Sequence, residues 1–406
     1  MNSFGKASDT TIFAEYALID GQWRKNTIVT ITNSKIASIM CDVSSIQARQ
    51  SSWQVEYLTP SYIDVQVNGG GGILLGEYVT PDDLLTVAKV HQAFGTGALL
   101  PTLITNNSDA MERMADSTAA VIAQQTQSYA AANTHILGVH FEGPWLANAK
   151  KGIHLAEHIR PPTDRELQCV TRSDIGKVKV TLAPESVSVD VIQDLVAQGV
   201  IVSLGHTNTD IDTTLAAIAA GASGFTHLFN AMSGFTGRAP GVLGAALSNQ
   251  HTYAGMIMDL HHVHPASIQA AIHAKGLAYS VLVTDAMGHV GADVDTLPYF
   301  DLSITRTGDK LTTPDGSLAG SCLTMHQAVC NTLTHCDVTW EQAIAMASIH
   351  PSNWLGLDDI GAIRVGYIAN LLGLSLPLVE PDLPNTISIN TQPTISHHWV
   401  KGQYVK

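Results

Sequence analysis

Charge is scarce in this chain. Of its 406 residues, 21 are Lys or Arg and 35 are Asp or Glu, so charged residues make up 14%. Soluble domains average roughly 25%. A chain with so little charge buries much of its surface, and a subunit interface can account for part of that. The formal net charge of −14 excludes a broad electrostatic footprint for nucleic acid. An anionic substrate has to find a local basic pocket that works against the overall field.

Cysteine builds no framework either. Cys41, Cys169, Cys322, Cys330 and Cys336 are odd in number and no two are spaced as CxxC. Reduced, mostly buried thiols in a cytoplasmic protein are expected. No apolar run approaches the roughly 20 residues of a membrane span, so no membrane partner is expected. The opening MNSFGKASDTTIF has no basic start followed by an apolar core, so no secretory signal is expected. Low-complexity tracts are absent too.

What is present is alternation. Eight buried-strand candidates fall at residues 62–69, 97–105, 135–143, 179–185, 200–206, 224–230, 253–262 and 279–287. Most are followed by a helical pattern, such as residues 80–94 and 208–220, opened by Thr, Asp or Asn. Strand–helix alternation argues for a parallel sheet. Eight units fit an α/β fold, a (β/α)8 TIM-like barrel, over residues 60–357. An open doubly wound sheet is the competing architecture. The barrel is preferred because polar residues collect at strand C-termini, which converge on one mouth in a barrel. Residues 301–321 read as a hairpin excursion, and 323–336 and 338–357 as further helices. Both chain ends are rich in short strands: 14–23, 26–40 and 51–60, then 361–375, 385–390 and 395–406. A small β-sandwich domain formed by residues 1–59 and 358–406 is expected.

Four strand-end residues carry the chemistry. Glu142 closes HILGVHFEGP, His206 closes VIVSLGH, His227 lies in GFTHLFNAM and Asp285 in YSVLVTDAM. Two imidazoles and one carboxylate are the ligands of an open-coordinated catalytic divalent metal. A further carboxylate can move the proton that metal-assisted hydrolysis requires. Taken singly, each has a plainer reading: a paired buried Glu, hydrogen-bonded core histidines, and an Asp capping a following helix. Their meeting at one mouth favours the metal. His154 lies twelve residues beyond Glu142, within reach on the same loop. Arg238, in the Gly/Pro-rich FTGRAPG loop, suits capture of phosphate or carboxylate. The HxH formed by His262 and His264 is a weak metal candidate. The Gly69–Gly72 run lacks a P-loop lysine and reads as a turn rather than a phosphate cradle.

These segments resemble the amidohydrolase superfamily and, within it, the N-acetylglucosamine-6-phosphate deacetylases. The similar stretches are YIDVQVNGGGG, HFEGP with KKGIH, LGHTN, THLFNAM, TGRAPG, DLHHV, VTDAM and GSLAGSCLTM. They follow one another in order along the whole barrel. The resemblance implies hydrolysis of the acetamide of a phosphorylated amino sugar, with the galacto epimer or a cyclic amide as alternatives. It implies one divalent metal on Glu142, His206 and His227, zinc first, with iron, cobalt or manganese possible. Asp285 becomes the base and then the acid, and His154 polarises the carbonyl. Asn230 and Ala231 give backbone contacts, and Arg238 and His262 meet the 6-phosphate. A homodimer is implied as well. Many superfamily members carry HxH at the end of the first strand and bind two metals. Here that position reads Gln66-Val67-Asn68, and neutral amides are poor ligands. The second metal site is therefore expected to be empty, with Gln66 free to contact substrate. A catalytically dead barrel is the alternative from another class, but such a chain is expected to have lost ligands.

Overall fold

The structure is a computed structural model and describes residues 9–127, 135–376 and 392–406. Eight parallel strands form one sheet in the order of the chain. They are β1 (Tyr62–Val67), β2 (Thr96–Ile104), β3 (Gly138–Glu142), β4 (Lys177–Leu182), β5 (Ile201–Leu204), β6 (Gly224–Phe225), β7 (Tyr253–Ile257) and β8 (Ser280–Val283). The last strand returns to the first. Asp285 N donates to Gln66 O at 3.1 Å and Asn68 N to Ala286 O at 2.8 Å, which closes the barrel. The strands are almost wholly buried, as expected where helices cover the outside and side chains fill the inside.

Several strands stop short of their apolar pattern. The run 224–230 pairs regularly only over Gly224–Phe225. Beyond it His227, Phe229 and Ala231 all take positive φ, so the chain leaves the ladder where functional side chains begin. The helices start as the sequence signals. Thr80 and Asp83 form a capping box with Pro81 in the first turn of Pro81–Gln92. Asp210 caps Ile211–Ala219 and Thr324 caps Met325–His335. Among the described residues no helix is long and apolar enough to cross a membrane.

Residues 10–60 and 371–404 supply a separate seven-stranded sheet. Its hairpins turn on Asp20-Gly21 and Asn33-Ser34, all at positive φ, the backbone that tight β-turns need. The expected strand at 385–390 lies outside the described residues. Ile12, Val29, Leu58, Leu371 and Trp399 pack the core of this sheet. Trp23 and Tyr57 join it to the barrel through tilted and edge-on ring contacts with Trp340. A second excursion, the antiparallel sheet Thr296–Tyr299, Leu302–Thr307 and Lys310–Thr312, packs Tyr299, Ile304 and Leu311 on Ile104 and Met287. That contact walls one side of the barrel mouth.

Candidate metal centre

His206, His227 and Asp285 share a backbone peculiarity, with φ of 49°, 33° and 52°. A left-handed conformation costs a non-glycine residue about 1–3 kcal/mol and persists only where the surroundings enforce it. Each residue follows the last paired residues of its strand and turns sharply, so the side chain projects into the mouth. Glu142 ends β3 on the ladder itself, and Gly143 at φ 87° makes the turn after it. A Cβ on Gly143 would lie 2.1 Å from Thr105 Oγ1, so only glycine fits.

The four side chains meet. Glu142 Oε1 lies 3.0 Å from His227 Nε2 and 3.4 Å from His206 Nε2. The two Nε2 atoms are 3.0 Å apart. All three residues are buried. His206 Nδ1 lies 2.8 Å from Lys150 O. A carbonyl only accepts, so Nδ1 carries the proton and Nε2 turns a lone pair inward. Burial alone would raise the Glu142 carboxyl, yet the neighbouring His206 and His227 rings hold it well below the usual carboxylate range. Burial likewise opposes protonation of His227, but the Glu142 hydrogen bond and charge outweigh it and raise the ring. The cluster thus brings one carboxylate against two imidazoles in a buried space. A carboxylate oxygen and two imidazole nitrogens at this spacing fit a divalent ion.

His154 competes with His227 for a place in that set, because ligand atoms of Glu142, His154 and His206 lie within 4.8 Å of one another. Hydrogen bonding separates the two rings. The Thr105 amide donates to His154 Nδ1 at 3.3 Å, and Thr105 Oγ1 lies 2.7 Å from the same atom. An amide N–H only donates, which assigns the ring proton to Nε2. Burial, then the neighbouring His206, pushes the ring down to about 3. His154 is therefore a neutral donor at working pH, while His206 turns its Nε2 lone pair to the cluster.

Asp285 is not a helix cap, since no helix begins there. Asn68 Nδ2 donates to its Oδ1 at 2.7 Å. Gln66 Nε2 bridges Glu142 Oε1 at 3.0 Å and Asp285 Oδ1 at 3.1 Å. The first-strand amides thus present N–H groups to both carboxylates. Burial and then the Glu142 charge raise the Asp285 carboxyl, a direction that suits a proton carrier.

A cavity of ≈ 200 Å³ opens above these groups, lined by Asn68, Asn230, Ala231 and His262 beside the cluster and by Ile104, Ile153, Met287 and Leu318. His262 rather than His261 faces it; His261 Nε2 instead lies 2.7 Å from Asp309 Oδ1. Gln66 sits between the carboxylates and does not line the wall. Arg238 is exposed in a turn closed by Thr236 and Ala239 and does not line the cavity. The Gly69–Gly72 amides are engaged as well: Gly71 and Gly72 donate to Val290 O and Gly288 O, which makes the segment a turn. Two participants escaped sequence reasoning. Thr105 follows an apolar run without a distinguishing signal. Lys179, fully buried on β4 and 4.7 Å from the Trp354 ring centroid, resembles any strand-edge lysine in sequence.

Residues 57–405 match the amidohydrolase family. The chain belongs to that family. An N-acetylgalactosamine-6-phosphate deacetylase of Shewanella sp. is 44% identical over 78% of this chain and 79% of its own length. An N-acetylglucosamine-6-phosphate deacetylase of Vibrio furnissii is 32% identical over 97% of this chain and 94% of its own. The crystal structure of N-acetylglucosamine-6-phosphate deacetylase from Pasteurella multocida superposes with a TM-score of 0.84 at 29% identity, covering 98% of this chain and all of that one. As in TIM-barrel enzymes at large, the polar cluster stands at the C-terminal mouth of the barrel.

Proposed function

We propose that this amidohydrolase hydrolyses the acetamide of N-acetylglucosamine 6-phosphate to glucosamine 6-phosphate and acetate. The observation that carries the proposal is the mouth cluster: a buried three-ligand set with Asp285 and a donor histidine beside it. Relatives with this activity in their names support the substrate. Glu142, His206 and His227 would hold one divalent ion, zinc first among zinc, iron, cobalt and manganese. When bound, such an ion acidifies water and polarises a carbonyl. Asp285 accepts the proton of the attacking water and returns it to the leaving nitrogen. His154 donates its Nε2–H to the oxygen on which negative charge develops. Asn68 and Gln66 aim the Asp285 and Glu142 carboxylates. Asn230 and Ala231 border the sugar, and His262 faces the phosphate.

The galacto epimer is a second reading, favoured by the 44% identical relative. A homodimer accords with the low charge and with Phe235, 60% exposed, on the same loop as Arg238. That loop would then bring Arg238 to a partner's cavity. Five unpaired thiols accord with a cytoplasmic setting. The test is acetate release by the purified enzyme from both N-acetylhexosamine 6-phosphates. Release from either assigns the epimer, and release from neither overturns the proposal.

A further inference from the structure

One side chain lines two cavities. Among the described residues Ile104 alone borders both the ≈ 200 Å³ metal cavity and a second cavity of ≈ 330 Å³. Ile104 ends β2 and stands opposite Glu142 in the parallel register of β2 and β3. Register partners project to the same face of a sheet, so the isoleucine points to the mouth beside the Glu142 carboxylate. The next residue, Thr105, holds His154 through its amide and hydroxyl. The carbonyl that His154 polarises therefore lies next to Ile104.

The apolar lining of the metal cavity is continuous at this point. Ile104 and Met287 pack in one cluster with Tyr299 and Ile304, and Ile153 lies against it. Asn230 and His262 line the same cavity from the loops after β6 and β7. Apolar surface gains by shedding water only when an apolar group covers it. The hydroxyls and phosphate of an amino-sugar phosphate do not supply that group; the acyl methyl does. The second cavity is lined mainly by apolar and aromatic side chains, among them Leu74, Leu75, Leu297 and Tyr299. Leu74 also packs against the Ile104 cluster.

We propose that Ile104 determines acyl-chain length. It closes the metal cavity behind a two-carbon acyl group and screens off an apolar space that receives longer chains once the isoleucine is shortened. Among N-acyl amino-sugar phosphates, acetyl is then accepted and butanoyl is excluded. The inference rests on the deacetylase reading of the mouth cluster.

The test compares metal-loaded wild type, Ile104→Ala and Leu318→Ala on N-acetylglucosamine 6-phosphate and its N-butanoyl analogue. Leu318 borders the metal cavity only, so truncating it adds space without opening the second cavity. Ile104→Ala is expected to raise kcat/KM for the butanoyl relative to the acetyl substrate at least about tenfold, as methylenes in an apolar pocket do. Leu318→Ala is expected to leave that ratio within about twofold of wild type. Adding Leu74→Trp to Ile104→Ala fills the second cavity and is expected to restore the acetyl preference. Ile104→Val is expected to shift the ratio in the same direction by a smaller factor, which keeps the test readable if the alanine variant does not fold. An unchanged ratio in the Ile104 variants, an equal rise in Leu318→Ala, or a gain that survives Leu74→Trp would overturn the proposal. Calorimetry with acetate and butanoate, the carboxylates released, needs no turnover: butanoate is expected to gain on acetate in Ile104→Ala and not in Leu318→Ala. Wild type that releases no acetate would overturn the deacetylase reading; active wild type with an unmoved ratio in the variants overturns the role of Ile104 alone.

Discussion

At the scale of single residues, identical side chains do different work because their second nitrogen has a different partner. His206 gives its Nδ1 proton to Lys150 O and turns a lone pair to the centre; His154 receives the Thr105 amide on Nδ1 and turns a proton there. Thr105→Val keeps the amide but removes the hydroxyl 2.7 Å from the ring. It is expected to lower kcat and leave metal content intact. Asp285→Asn is expected to cut kcat about 10²–10⁴-fold with metal retained, as measured by acetate release beside elemental analysis. Near-wild-type turnover would remove Asp285 from the mechanism. The residue types at strand ends were legible in sequence, since Glu142, His206, His227 and Asp285 each interrupt an apolar pattern. Hydrogen-bond partners were not. Thr105 acts through geometry that residue order does not encode, and the exposed position of Arg238 depends on a turn whose direction the sequence leaves open.

At the scale of elements, the site is built where strands end early. Positive φ at His206, His227 and Asp285 turns the chain at the strand ends and aims these side chains, so the apolar pattern overestimated β5, β6 and β8. Strand number and order were readable because hydrophobic runs mark buried strands. Their ends were not, because an apolar residue past the last pair looks the same as one within it. Gly143 shows how tightly the ends are set. Gly143→Ala combines φ 87° with a Cβ 2.1 Å from Thr105 Oγ1. It is expected to destabilise the fold by about 1–3 kcal/mol and to lower metal occupancy by displacing Glu142. A denaturation midpoint and a metal assay check both parts. Beneath the ligands, Thr102, His140, Thr181, Thr226 and Ser203 form a buried chain of hydrogen bonds across β2 to β6. Lys179 supplies the positive charge of that layer, facing Glu142, Asp64 and Asp285; burial lowers its ammonium to about 8.

At the scale of the molecule, barrel and end-built sheet were both foreseeable, the first from eightfold alternation and the second from β-rich termini. The whole fold also has a pH signature. Burial pushes His91 and His398 down to about 4 and His135 to about 3. Their unfolded forms titrate near about 6.5, so unfolding takes up protons below that pH. Stability is therefore full above about 6.5 and lost as pH falls towards about 4, by up to about 1.4 kcal/mol per pH unit for each ring. Asp64, raised by burial to about 7, works in the opposite direction as one group against three. Urea midpoints at falling pH check this, and a flat profile would contradict it. The central claim is that Glu142, His206 and His227 hold one divalent ion while His154 does not ligate. Equilibrium metal content of chelated and reloaded protein, measured for wild type, His227→Ala and His154→Ala, tests it most directly. About one equivalent per chain is expected in wild type and His154→Ala, with little in His227→Ala. Loss of metal in His154→Ala with retention in His227→Ala would contradict the claim.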